Sequence, residues 1–289
     1  MIGKVMNANS MVLQSVDVGN VTIQYLSSDG DGPAIIFLHA TGFLPWLWQP
    51  IARQFSDKHR VIAPYFCDHR ESSLHEGGLS WAMLAEDLVG FCKAMDIQNP
   101  YMVGHSMGGA VIAIAAGALG LQVAKMVLIE PIFLPQEIYS IHLAVEQHPL
   151  ASKSIKRRNA WADMAEARAY LKSKRLFATW DEEMLNLYLQ YGMMESAEGG
   201  LELVCHPERE ASLFMGSKGY DPWPILPKVT CPVLVMEGEH TENKGFIDQK
   251  KIAAMFSKGE YRLVENAGHL IPMERPRETV RIIKEFFER

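Results

Sequence analysis

Five short runs, almost unbroken in apolar residues, constrain this chain more than anything else in it. They are AIIFLHA (34–40), RVIAPYF (60–66), YMVGHS (101–106), KMVLIEP (125–131) and PVLVMEGE (232–239). A strand with one wet face alternates apolar and polar residues. A solid run needs cover on both faces, which parallel strands receive from helices. A sixth run, YRLVEN (261–266), is more polar. Helical patterns lie between the runs. SWAMLAEDLVGFCKAMD (80–96) opens with Ser80, which can cap, and GGAVIAIAAGALG (108–120) is small and apolar all round, so it should be buried. ERPRETVRIIKEFFER (274–289) puts Pro276 where a first helical turn tolerates it. Strands alternating with helices define the α/β class, with a doubly wound, mostly parallel sheet. VTIQYLSSDGDGPA (21–34) reads as an earlier antiparallel strand and a Gly-rich turn.

The alternation breaks between Pro131 and Pro224. AWADMAEARAYLKSK (160–174) and TWDEEMLNLYLQYGMM (179–194) are helical instead, and Thr179 and Glu182 have the spacing of a capping box. Met184, Leu187, Tyr188 and Tyr191 form an apolar stripe. The expected organisation is a core of residues 1–131 and 221–289 with an inserted helical cap at 132–220. The Pro-rich DPWPILPKVTCP (221–232) marks the return to the core.

At 289 residues the chain is long enough for one such domain with a cap. Its net charge of -6 lacks the basic footprint of a nucleic-acid binder. The densest basic run, KSIKRR (153–158), reads as a solvated helix face. No window approaches the roughly 20 apolar residues of a membrane span. The first residues lack the apolar core of a signal peptide, so a cytoplasmic protein is expected. Cys67, Cys92, Cys205 and Cys231 lie far apart with no CxxC, and four buried free thiols are expected. His69 and His75, near Asp68, lie on a polar stretch without helical period, and no metal site is expected there. No cofactor is expected either.

Gly104-His105-Ser106-Met107-Gly108 fits G-x-S-x-G between an apolar strand and a tight helix. That placement reads as a nucleophile on a strained strand-to-helix turn, presented at the C-terminal edge of the sheet. The rival reading is one more small residue in a turn. A serine nucleophile needs a base. His269, in ENAGHLIPMERP after the last strand, has the right position; His105 is expected only to pack. An oxyanion hole needs two amides. Met107 offers one, and Thr41, in FLHATGF, offers the other, with His39 bracing the loop.

LHATGF, GHSMGG and NAGHLIPMERP occur in that order and span both ends of the chain. On these motifs the chain resembles an α/β-hydrolase-fold serine hydrolase of the capped, esterase-like branch. The resemblance implies Ser106 as nucleophile, His269 as base, and the amides of Thr41 and Met107 as the oxyanion hole. The third member of the triad departs from the pattern. Many relatives place an Asp just past the strand matching PVLVMEGE, where this chain has Glu239, His240, Thr241 and Glu242. Glu242 has the right offset. Glu130, at the end of VLIEP, is the preferred acid, in a position resembling that of haloalkane dehalogenases. A Glu ending a solid apolar strand is costly without a partner. Serine rather than Asp at the elbow favours acyl transfer on an ester, lactone or thioester. The expected substrate is a small to medium apolar molecule, admitted by a cap that carries Trp161, Trp180, Tyr188 and Tyr191; Trp46 and Trp48 read first as core packing, with a wall at the entrance as the alternative. C–C bond hydrolysis on the same triad, or a low-turnover ligand receptor, are the alternatives. The sequence leaves homo-oligomerisation open.

Overall fold

The computed structural model describes residues 11–67 and 69–289; the readings of residues 1–10 and of Asp68 lie outside them. The strands are β1 (Val12–Asp17), β2 (Thr22–Ser27), β3 (Ala34–Leu38), β4 (Arg60–Pro64), β5 (Tyr101–His105), β6 (Lys125–Ile129), β7 (Met193–Glu195), β8 (Leu201–Leu203), β9 (Val233–Gly238) and β10 (Gly259–Val264). Eight of them form one sheet in the order β1-β2-β4-β3-β5-β6-β9-β10. From β4 to β10 every neighbour is parallel, and the β1–β2 hairpin joins antiparallel. The solid runs are the inner strands: Ile35, Ile36, Phe37, Val61, Ile62, Met102, Val103, Val127 and Val235 are fully buried.

The helices are α1 (Gln49–Ala52), α2 (Trp81–Ala94), α3 (Met107–Ala118), α4 (Ala151–Ser154), α5 (Met164–Lys172), α6 (Glu182–Tyr191), α7 (Pro207–Met215), α8 (Gln249–Met255), α9 (Ile271–Glu274) and α10 (Pro276–Phe287). Ser80 caps α2 as expected, its Oγ accepting from the Ala82 amide at 3.2 Å. On α10, Thr279, Ile282, Ile283, Phe286 and Phe287 are buried, one stripe at helical spacing.

Four expectations are corrected. Asp181, not Thr179, caps α6 and accepts from the Glu183 amide at 2.9 Å. A carboxylate nearer the first turn serves that end directly. The segment between β6 and β9 is not wholly helical, because β7 and β8 form a small antiparallel ribbon. Cys67 and Cys205 are joined by a disulfide across 138 residues of sequence, and only Cys92 and Cys231 are free. Spacing along the chain could not reveal a pair that meets only after folding. Finally, KSIKRR is not uniformly solvated: Arg158 is exposed, but Arg157 turns inward onto Glu210.

The inserted segment docks on the loops that follow the C-terminal ends of the strands. Tyr191 stacks on Trp46 with ring centroids 3.8 Å apart, and Asp181 donates its amide to Met273 O at 2.8 Å. Leu213 O accepts from Trp81 Nε1 at 2.8 Å, and the disulfide ties the loop after β4 to the residues before α7. Trp48 packs in the core, buried against Phe37 with ring centroids 5.1 Å apart. Among the described residues no helix is long and apolar enough to cross a membrane.

Candidate active site

Register aligns the site. Leu38 pairs Gly104, and His105 pairs Ile129, which pairs Met236. The residues that follow each, Ser106 and Glu130, therefore emerge side by side at the same edge, next to the loop that leaves β3. Ser106 adopts φ 55°, ψ -114°, a conformation L-residues rarely hold. The turn closes only with glycine on both sides. A Cβ on Gly104 would lie 2.5 Å from the carbonyl carbon of Gly108, and one on Gly108 would lie 2.4 Å from Leu38 O. The Ser106 amide donates to Ile129 O at 2.9 Å, which pins the turn to the neighbouring strand. Ser106 is buried, 7% exposed.

Glu130 also holds a positive φ, 47°, and is fully buried. The Gly238 amide donates to its Oε1 at 2.7 Å, and Thr241 Oγ1 donates to Oε2 at 2.9 Å. His269 Nδ1 lies 3.0 Å from the same Oε2, and the Asn243 side-chain amide lies 3.0 Å from that nitrogen. A buried carboxylate is tolerable only when donors surround it, and these do. Glu242 stands apart, exposed in the short turn that follows β9. Of the two acids weighed from the sequence, Glu130 is the one that meets His269. Thr241 and Asn243 escaped the sequence reading because GEHTENKG looks like an ordinary polar loop. The signal was that it leaves β9, the strand beside β6.

His105 packs, as expected. It is wholly buried, with Nε2–H donating to His269 O at 2.9 Å, so it steadies the loop that carries His269. His39 braces its own loop: Nδ1–H donates to Ala40 O and Nε2 accepts from the Phe66 amide, both at 2.9 Å. Burial pushes His39 down to about 4 and His105 down to about 3, the latter helped by His269 nearby. Both must therefore take up protons on unfolding below the ordinary value near 6.5. Folded pKa values below unfolded ones mean that their contribution is complete above pH 6.5 and is lost as pH falls toward 4 and then 3. Each histidine adds a slope of about 1.4 kcal/mol per pH unit within its window. Thermal unfolding followed between pH 7 and 4 should show Tm dropping steeply below pH 6; a flat profile would contradict this burial.

Thr41 and Met107 are both buried, and their amides enter no hydrogen bond among the described residues. They are the two donors the sequence nominated for an oxyanion. Beyond Thr41, Phe43 packs on Trp180 and Tyr188, with centroids 5.5 and 6.0 Å apart. Trp161 is buried as well, beside Tyr170 on α5. Of the His69–His75 pair, His69 Nε2 is bound to Asp87 at 2.8 Å while His75 is exposed. Among the described residues no three His, Cys, Asp or Glu side chains gather to hold a metal ion.

A parallel sheet with a strained serine elbow and a carboxylate-backed histidine is the architecture of a hydrolase class. The model of the alpha/beta hydrolase family matches residues 35–282, and the chain belongs to that family. It is 24% identical over 258 residues to a Haemophilus influenzae protein named esterase/lipase, covering 89% of this chain and 84% of that one. It is 22% identical over 281 residues to 2-(acetamidomethylene)succinate hydrolase of Mesorhizobium japonicum, covering 97% of each. The solved structure of an E-2-(acetamidomethylene)succinate hydrolase superposes with a TM-score of 0.81 at 21% identity, over 96% of this chain and 100% of that one. That likeness is one of fold.

Proposed function

We propose that this protein is a serine hydrolase that cleaves a carboxylic ester, lactone or thioester through an acyl-enzyme on Ser106. One observation carries the reading: the buried Glu130 carboxylate lies on Nδ1 of His269, which sits on the same sheet edge as the elbow serine. With its proton on Nδ1, His269 keeps Nε2 as the base. Ser106 Oγ attacks the carbonyl carbon as His269 takes its proton, and the amides of Thr41 and Met107 hold the oxyanion. His269 then gives the proton to the departing alcohol or thiol. Water, deprotonated by His269 in turn, releases the acid and restores Ser106. Glu130 holds the tautomer and stabilises the imidazolium.

The inserted segment acts as a cap over this edge, and the cluster of Phe43, Phe177, Trp180 and Tyr188 supplies an apolar wall for a small to medium acyl group. The esterase/lipase and succinate-hydrolase names of the relatives support hydrolysis of a small molecule. A cytoplasmic location, expected from the sequence, would set the Cys67–Cys205 bond against a reducing pool, where such bonds are uncommon.

The test is a substrate panel. p-Nitrophenyl acetate and butyrate should turn over with a burst equal to the enzyme concentration. Cleavage of a diketone with the esters untouched would assign a C–C hydrolase, and tight ligand binding without turnover a receptor; either overturns the proposal.

A further inference from the structure

The inserted segment holds a largely buried ion pair for which the steps above have no use. Arg157 Nη1 donates to Glu210 Oε2 at 2.8 Å, and Arg157 Nη2 to Tyr188 Oη at 3.2 Å. The three residues come from separate pieces of the insertion: the turn after α4, α6 and α7. Glu210 is 8% exposed and Tyr188 4%. Burial works against the charge on Arg157, yet Tyr188 and Glu210 beside it outweigh burial and hold the guanidinium above the ordinary arginine value.

A buried ion pair is a poor way to gain stability, since packed apolar residues of like volume do as well or better. This one has a particular neighbour. Gly42 adopts φ +77°, and a Cβ there would lie 2.1 Å from Glu210 Oε1 and 2.8 Å from its Cδ. The carboxylate thus occupies the space that the absent side chain leaves. Tyr188, the second partner of Arg157, packs on Phe43, the next residue of the same loop. The insertion therefore grips the two residues that directly follow Thr41, one through Glu210 and the other through Tyr188, with Arg157 joining the grips.

We infer that Arg157, Glu210 and Tyr188 are positioning residues that set the Thr41 amide for the oxyanion, coupling the inserted segment to the transition state. The inference rests on the proposed roles of Ser106 and Thr41. An oxyanion donor must sit where the charge develops, not where the ground-state carbonyl lies, so a small displacement of its loop falls on kcat rather than on KM.

The test compares Glu210→Ala, Arg157→Met and their double variant on a p-nitrophenyl ester. A misplacement on the 1 Å scale costs up to about 100-fold, so each single variant should lose about 10- to 100-fold in kcat with KM changed less than about threefold. Residues acting as one unit are not additive, and the double variant should fall within about threefold of the worse single. Glu210→Gln, which keeps the bulk against Gly42 and an acceptor for Arg157, should recover most of the rate. The first-order rate of Ser106 phosphonylation by a saturating fluorophosphonate should fall by the same factor. That rate constant reports only folded molecules, so a partly misfolded variant does not mask the result. Wild-type kcat and phosphonylation rates in both single variants, or a change in KM alone, overturn the inference while Ser106→Ala is inactive. If Ser106→Ala behaves as wild type, the proposed function falls and takes this inference with it.

Discussion

Glu130→Gln is expected to lower the turnover of an ester by about 10⁴-fold, the loss that follows when a triad acid can no longer hold its histidine in the right tautomer. Gln keeps the shape of the side chain, and its carbonyl can still accept from Gly238 N or Thr241 Oγ1. It cannot stabilise the imidazolium that forms when Ser106 is deprotonated. Its amide also invites the Nε2–H tautomer of His269, which removes the base. Glu242→Gln should leave turnover unchanged, since Glu242 is exposed and away from His269. Steady-state kinetics on the two variants decide the matter. Near-full turnover in Glu130→Gln with a crippled Glu242→Gln would reverse the assignment.

Ser106→Ala is expected to have the largest effect, about 10⁴- to 10⁶-fold in kcat, leaving only what the oxyanion amides and binding supply. KM should change little, because the hydroxyl contributes to the reaction and not to holding the ground state. The elbow adds a second readout. A non-glycine residue at φ 55° stores backbone strain on the order of 1–3 kcal/mol. Ser106→Gly removes the Cβ from that conformation, so it should abolish turnover without lowering Tm. A variant that lost activity and stability together would point to a packing role for the serine instead.

The parts legible in the sequence are those where one physical demand dominates. Burial on both faces leaves no room for polar residues, so β3, β4, β5, β6 and β9 announced themselves. β1 did not: it is the sheet's edge, nearly all its side chains are exposed, and no pattern is imposed on it. Glu130 was legible because a carboxylate ending an apolar strand requires a partner. Thr241 and Asn243 were not, since a polar loop residue looks the same whether it faces water or a buried carboxylate. Arg157 and Cys67 share that limit. Their partners, Glu210 and Cys205, are 53 and 138 positions away, and only the folded insertion brings them together.

The central claim is that Ser106 is a nucleophile activated by the His269–Glu130 pair. Peptide mass analysis after brief exposure to a fluorophosphonate tests it most directly. One phosphonate per chain is predicted, on the peptide containing Ser106. Ser106→Ala should not be labelled, and His269→Ala should be labelled far more slowly. A label on another residue, or equal labelling in Ser106→Ala, would contradict the account.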